Sequence, residues 1–227
     1  MWGIRLVISR KLGSSVIIEV WADVVCPWCF IGKRRLERAI AALPGLPELE
    51  VVHRVFQLDP GAISEGRLTI DVLASKYGLD AVGVQNIIRQ VESAGAAEGL
   101  TMRLLETQSG NTAFAHQLIL WAQQQGSGQE LLDGIFSGYF ENASPIFTVD
   151  ELMPFVSAAG LNTEGAREVI AAGSYRSAVA ADLEIAAQFG ATGVPFFVFD
   201  RRFGISEAQP FEVFVETFAK ALESPLI

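Results

Sequence analysis

The sequence predicts an α/β fold in which both ends of the chain build one sheet and a helical subdomain is inserted between them. Three features predict it. Strand, helix and strand patterns follow one another near the start of the chain, and helical patterns fill the stretch from Thr69 to Phe189. Two further strand patterns and a last helix then close the chain.

The N-terminal part has the pattern of a βαβ unit. "SVIIEVWA" is a continuous apolar run rich in β-branched residues, which is typical of a central strand buried on both faces. A helical pattern begins at Pro27 and stops at "LPGLP", and "LEVVHRVFQL" follows as a second strand. Because a crossover helix joins them, the two strands are predicted to lie parallel.

The rest of the chain is divided by its caps and strand patterns. Thr148 with Glu151 three residues later has the pattern of a capping box, and Asn111 and Asn162 are predicted N-caps. "VPFFVFD" and "FGI" predict two strands, and "PFEVFVETFAKAL" predicts the closing helix. The predicted units are residues 15–68 and 174–227, which share one domain, and the inserted helical residues 69–173.

Composition and charge exclude several function classes. Half of the 227 residues are hydrophobic and 19% are charged, as in an ordinary globular protein. The formal net charge of -9 argues against nucleic acid or an anionic membrane as the main partner. The apolar runs are shorter than the roughly 20 residues of a membrane span, and the one near Met1 is shorter than a signal-peptide core. We therefore expect a cytoplasmic protein.

The only two cysteines, Cys26 and Cys29, lie in "CPWC" between the first strand and the first helix. This position puts Cys26 at the N-cap or just before it, where free N–H groups and the helix dipole favour a thiolate. Pro27 suits the first helical turn, and Cys29 lies one turn later, within reach of a mixed disulfide at Cys26. Such a pair in a reducing compartment is typical of redox chemistry. Three cations that follow are candidates to add to the effect: Lys33, Arg34 and Arg35.

Three other interpretations of the cysteines stay open. They are buried small apolar residues, or they bind zinc with His53, His116 or carboxylates, or Cys26 pairs with His116 in a hydrolase. The wide and irregular spacing of the two histidines predicts no metal site. The sequence contains no G-x-G-x-x-G, P-loop or HExxH motif.

A second informative stretch is "GATGVPFFVFD". Pro195 stands directly before an apolar strand, where a main-chain N–H would otherwise enter the sheet ladder. A proline there can take a cis Val194-Pro195 bond. An ordinary proline at a strand entry is the alternative.

Together the two stretches resemble the thioredoxin-fold DsbA family and, within it, the FrnE-like group. The match covers "DVVCPWCFIGKRR" and extends to "FQLDP", "NTAFAHQL", "GVPFFV" and "SEAQP". The resemblance implies a thioredoxin-like fold with an inserted all-helical subdomain. It also implies a thiol-disulfide oxidoreductase that reduces, oxidises or isomerises disulfides, with Cys26 as the attacking thiolate and Cys29 as the resolving thiol.

The same resemblance implies a substrate site beside the cysteines, formed by Pro27, Trp28, Val194 and cis Pro195. The Val194 backbone would pair with a substrate strand, and Trp28 and Phe30 are open as substrate contacts or core residues. Secondary candidates are Asp23, as a base or a strand-end cap, and Asn111 and His116. Three departures from the family pattern are Val20, which replaces a buried acid, Val55, where proline is common, and Glu207, which replaces a glycine.

The rival function also follows from the resemblance. Kappa-class glutathione transferases and hydroxychromene-carboxylate isomerases share the fold and typically carry Ser where Cys26 stands. Two thiols therefore favour disulfide exchange over glutathione activation. We expect no cofactor beyond the Cys26-Cys29 disulfide, with glutathione open as a co-substrate. The expected partner is a disulfide-containing protein or small thiol; a homodimer and a non-catalytic peptide-binding module also stay open.

Overall fold

The structure, a computed structural model, describes residues 16–43 and 49–223. Its strands are β1 (Val16–Ala22), β2 (Leu49–Val55), β3 (Arg67–Leu68), β4 (Gln108–Ser109), β5 (Phe196–Phe199) and β6 (Phe203–Ser206). Its helices are α1 (Pro27–Ala42), α2 (Thr69–Tyr77), α3 (Ala81–Ala96), α4 (Ala113–Gln124), α5 (Gly128–Asn142), α6 (Val149–Ala158), α7 (Thr163–Ala172), α8 (Arg176–Gln188) and α9 (Phe211–Glu223).

The main sheet has four strands in the order β2-β1-β5-β6, so the two ends of the chain meet at its centre. β1 lies parallel to β2 and antiparallel to β5, where Trp21 pairs with Phe196. Apart from Ile17, β1 is buried along its length, and β5 is buried throughout. The predicted α/β class and the parallel β1–β2 pair are confirmed.

Helices cover both faces of this sheet. On one face, α1 and α9 pack Leu36 and Phe214 against Ile18 of β1 and Phe197 of β5. On the other face, α8 packs against Trp21, whose indole N–H donates to the carbonyl of Asp182 at 2.9 Å. The N-terminal turn of α1 is therefore fixed at one end of a buried sheet.

The helices between β2 and β5 build a second core that reaches the cysteines. Cys26, Cys29 and Ile31 of the α1 region share it with Ile88 of α3 and Phe136 of α5. The small β3–β4 ladder lies in the same part of the chain and was not predicted, because two-residue strands carry no periodicity. None of the helices in the described ranges combines the length and apolar composition that a membrane crossing requires.

The predicted caps are confirmed at two of three positions. Thr148 and Glu151 form the capping box of α6, and Asn162 caps α7. The prediction for Asn111 is wrong by one residue, because Thr112 is the N-cap of α4 and the Asn111 side chain accepts the N–H of Ala113 at 2.9 Å.

The predicted division of the chain stays a prediction. Residue 15 and residues 224–227, at the outer ends of the predicted units, lie outside the described residues, as does most of "LPGLP". The first helix ends at Ala42, just before that segment.

Candidate active site

Cys26 is the N-cap of α1, with φ -88° and ψ 111°. Its own N–H donates to the carbonyl of Asp23 at 3.1 Å, and its carbonyl accepts the N–H of Cys29 at 2.9 Å. Pro27 occupies the start of the helix, where no main-chain donor is required. The Cys26 side chain therefore lies at the positive end of a 16-residue helix, as the sequence predicts.

Both cysteines are free thiols and both are buried, with exposed fractions of 5% for Cys26 and 2% for Cys29. Burial raises the pKa of the Cys29 thiol well above its usual value, and its hydrogen bond with Cys26, the charge of Cys26 and the charge of Asp23 raise it further. At neutral pH Cys29 is thus a thiol that must lose a proton before it can attack a disulfide.

The segment Val194–Pro195 comes to Cys26 from the other end of the chain. The Cys26 sulfur donates to the carbonyl of Val194 at 3.7 Å, and the Val194-Pro195 bond is cis. Gly32 makes this approach possible, because a Cβ at that position would lie 2.9 Å from Cγ of Pro195. The structure therefore brings the two stretches singled out in the sequence against one another.

The turn that contains Glu207 contacts the same segment. The Glu207 N–H donates to the carbonyl of Pro195 at 2.8 Å, and Glu207 has a φ of 66°. Glycine takes this left-handed conformation more readily than glutamate. The backbone geometry accounts for the glycine that the family pattern has here.

A buried polar chain lies behind the cysteines. The Asp23 carboxylate accepts the N–H of Leu58 at 2.8 Å and lies 3.1 Å from Nε2 of His116. The His116 ring stacks on His53 with centroids 6.0 Å apart. Within the described ranges, Nδ1 of His116 and Nε2 of His53 are buried without a hydrogen-bond partner.

This arrangement tests two of the alternatives for the cysteines. Nε2 of His116 faces Asp23, whereas the sulfur of Cys26 faces Val194, which does not support a Cys-His hydrolase. In the part of the chain that the structure describes, no group of three or more His, Cys, Asp or Glu side chains is placed to bind a metal ion.

The three cations after the cysteines are engaged with carboxylates. Lys33 pairs with Glu37 and Asp133, and Arg34 also pairs with Glu37. Arg35 pairs with Glu98 and also donates to main-chain carbonyls of the turn after β6. Their charges connect α1 to neighbouring elements.

A cavity of about 740 Å³ opens beside the cysteine pair, with Cys26, Pro27, Trp28 and Val194 in its wall. The opposite wall comes from the inserted helices and includes Ile88 and Tyr139 among its residues. Burial raises the pKa of Tyr139 to about 12, so its hydroxyl stays protonated. The cavity is large enough for a small organic molecule.

The other predicted residues differ in whether they reach the cavity. Trp28 is 39% exposed and lines the cavity, whereas Phe30 stacks on Phe136 and Phe140 in the core. The amide of Asn111 donates to two carbonyls in the loop at residues 60–62, part of which lines the cavity, so its contact is with the loop.

The sequence did not identify the residues between β2 and β5 that line the cavity, among them Arg67, Lys76 and Tyr139. They lie on three different elements far from the cysteines in sequence. A charged residue at the end of a short strand or helix gives no motif, so no sequence pattern identifies them.

A sequence model of the DSBA-like thioredoxin domain matches residues 17–219. The chain belongs to this DSBA-like thioredoxin family. A probable DsbA oxidoreductase from Streptomyces coelicolor is 39% identical and superposes with a TM-score of 0.89 over 93% of each chain. The predicted thioredoxin-like fold and the predicted enzyme class, an oxidoreductase, are therefore confirmed.

More distant structures share only the fold. The cytosolic disulfide reductase DsbM from Pseudomonas aeruginosa, solved with GSH, is 18% identical, with a TM-score of 0.59 over 90% of this chain and 99% of that one. A 2-hydroxychromene-2-carboxylate isomerase is 10% identical, with a TM-score of 0.66 over 90% and 95%.

The buried His53 should make stability fall in acid. Burial, and then the charges of His116, Lys33 and Arg54, lower its pKa from 6.5 to about 3. Below pH 6.5 the unfolded chain binds a proton that folded His53 rejects, so the contribution of His53 to the free energy of unfolding falls, at a rate that approaches about 1.4 kcal/mol per pH unit and continues to about pH 3. We expect His53→Leu to lose about 2 kcal/mol less than the unmodified protein between pH 6.5 and 4.5.

Guanidinium unfolding curves at both pH values measure this difference. Comparing the change in each protein removes the effect of the lost side-chain packing. Equal losses in both proteins would show that His53 takes up its proton in the folded state.

Proposed function

We propose that the protein is a thiol-disulfide oxidoreductase of the FrnE-like group that acts through Cys26 and Cys29. The observation that carries this proposal is the position of Cys26 at the N-terminus of α1, in the wall of the cavity, with Cys29 buried one turn behind it. Family membership supports the reaction class, and the two thiols support a dithiol mechanism.

The first step is attack by the Cys26 thiolate on one sulfur of a substrate disulfide. The N–H groups of the first turn of α1 and its dipole stabilise the negative charge on this sulfur. A Cys26–substrate disulfide forms, and the other half of the substrate leaves as a thiolate. Val194, Trp28 and Pro195 are proposed to hold the substrate beside Cys26.

The second step is attack by Cys29 on the sulfur of Cys26, which releases the second substrate thiol. Because the pKa of Cys29 is raised, this step requires a proton acceptor. We assign that role to Asp23, which is buried beside the pair, with His116 as the residue that positions its carboxylate. Asp23 thereby takes the place of the family's buried acid, which is Val20 here.

A glutathione-dependent isomerase or transferase is the second candidate. The shared fold of the 2-hydroxychromene-2-carboxylate isomerase and the presence of a cavity beside Cys26 favour it. That chemistry has no use for Cys29, whereas disulfide exchange uses both thiols. The dithiol reaction is therefore the better account of this site.

The cytoplasmic location, glutathione as a co-substrate and a homodimer remain predictions. A cytoplasmic enzyme of this kind would act mainly as a reductase or isomerase, because thiols there are kept reduced.

Exchanging one cysteine at a time tests the dithiol mechanism. We expect Cys29→Ser to accumulate a mixed disulfide on Cys26 when the reduced protein meets hydroxyethyl disulfide, because no resolving thiol is present. Unmodified protein should instead reach the intramolecular disulfide, and Cys26→Ser should form almost no adduct because Cys29 is buried and protonated. Intact-protein mass spectrometry distinguishes all three products.

An adduct on Cys29 in the Cys26→Ser variant would reverse the assigned roles. A stable adduct on Cys26 in the unmodified protein would favour the isomerase or transferase.

Removing the charge of Asp23 tests the proton acceptor. We expect Asp23→Asn to slow the resolving step by at least roughly tenfold at pH 7, since general-base catalysis typically contributes 100-fold or more. The rate of the variant should also rise more steeply with pH, as Cys29 then depends on solvent to lose its proton. Release of the second thiol from 5,5′-dithiobis(2-nitrobenzoate), followed by absorbance, measures the step.

Asp59→Asn is the matched control, because Asp59 lines the same cavity but is exposed. A resolving step that is unchanged or faster in Asp23→Asn would contradict the role. The Asp23 carboxylate would then only raise the pKa of Cys29 and accept the N–H of Leu58.

A further inference from the structure

We propose that the cavity beside Cys26 binds a small disulfide whose thiol halves are aromatic or similarly apolar and carry an acidic group. This inference rests on the proposed function, and it adds the substrate class.

The cavity extends from Cys26 into the core of the inserted helices. Its far wall includes Ile88 and Val91 of α3 and Phe140 of α5, all of which are at most 7% exposed. The rim is apolar as well, with Trp28 and Ile63 exposed. A ligand group that fills this space gains free energy by removing apolar surface from water.

The polar groups in the wall are already hydrogen-bonded within the protein. The hydroxyl of Thr107 lies 2.9 Å from both the Thr69 hydroxyl and the carbonyl of Leu104. Tyr139 donates its hydroxyl proton to the carbonyl of Gln108. The wall therefore offers little hydrogen bonding to a peptide, whose buried N–H and C=O groups would lose their water partners. Aromatic or aliphatic groups have no such hydrogen bonds to water to lose when they are buried.

The acidic and the basic side chains around the cavity differ in whether they have partners within the protein. The carboxylates of Asp23 and Asp59 accept main-chain N–H groups at 2.8 Å and 3.1 Å. Within the described ranges, by contrast, Arg67 and Lys76 have no carboxylate partner, and Lys76 lies only over the ring of Tyr77. Two free cations beside an apolar space are complementary to an apolar ligand with an anionic end.

The reaction with such a disulfide, R–S–S–R, is balanced by the two protein thiols. The Cys26 thiolate forms a Cys26–S–S–R bond and expels one RS⁻, and Cys29 then forms the Cys26–Cys29 bond and expels the second. Two electrons pass from the protein to the substrate, and the two thiol protons of the protein leave with the products or enter solvent. A low-molecular-weight thiol such as glutathione returns the protein to its reduced form.

The test compares three disulfides in stopped-flow experiments with the reduced protein. 5,5′-Dithiobis(2-nitrobenzoate) is aromatic and anionic, 4,4′-dithiodipyridine is aromatic and neutral, and hydroxyethyl disulfide is small and polar. We expect the reaction rate to saturate with the two aromatic compounds, with half-saturation at the lowest concentration for the anionic one. Hydroxyethyl disulfide should react without saturation.

Charge variants separate the ionic contribution. In the double variant Arg67→Gln/Lys76→Gln, the half-saturating concentration of the anionic disulfide should rise roughly tenfold and that of the neutral one less than about twofold. Arg89→Gln is the matched control, because Arg89 is exposed on α3 and does not line the cavity. Equal effects on both aromatic disulfides would overturn the anionic part of the proposal.

A bulky substitution tests the cavity itself. Val72→Trp places an indole inside it, whereas Val82→Trp makes the same change at an exposed position of α3 outside it. Only Val72→Trp should weaken saturation by the aromatic disulfides, and the rate with hydroxyethyl disulfide should be retained. If all three compounds react without saturation, the cavity proposal fails while the oxidoreductase stands. If none of them oxidises the cysteine pair, the proposed function itself fails.

Discussion

The close packing of the first turn of α1 against Val194–Pro195 is the constraint on which the site depends. These two segments are far apart in sequence, and β1 brings them together by pairing with β5 at the centre of the sheet. Gly32 allows the contact because any Cβ there would collide with the Pro195 ring. The sulfur of Cys26 is thereby held between the positive end of a helix and a carbonyl oxygen, at the edge of a cavity.

The two thiols differ because their surroundings differ. Both lie in the same apolar cluster, but Cys26 has the end of α1 and the cavity, whereas the burial of Cys29 and the charges of Cys26 and Asp23 raise the pKa of its thiol. In the proposed mechanism this asymmetry makes Cys26 the sulfur that meets the substrate and Cys29 the sulfur that completes the exchange. The helices between β2 and β5 supply the far wall of the cavity and Lys76, and β3 supplies Arg67, so we propose that this part of the chain selects the substrates that reach the first sulfur.

Much of this arrangement is predictable from sequence, since it depends on local signals. The β1–α1–β2 unit follows from apolar runs around "CPWC", and the position of Cys26 follows from the proline after it. The stacking of His53 on His116 and the cavity are not predictable in this way, because each joins residues from separate elements with no common spacing. The two-residue strands β3 and β4 could not be predicted for another reason, since they are too short to show an alternating pattern.

The central claim is that Cys26 and Cys29 work as one redox pair. A titration of the protein in glutathione buffers of known ratio, with thiol trapping and mass spectrometry, measures this most directly. The account predicts one two-electron transition to an intramolecular disulfide, with a potential within roughly -220 to -320 mV if the protein works against the cytosolic thiol pool. It also predicts that Cys29→Ser yields only a mixed disulfide with glutathione. A protein that never forms the Cys26–Cys29 disulfide at any ratio would contradict the dithiol mechanism.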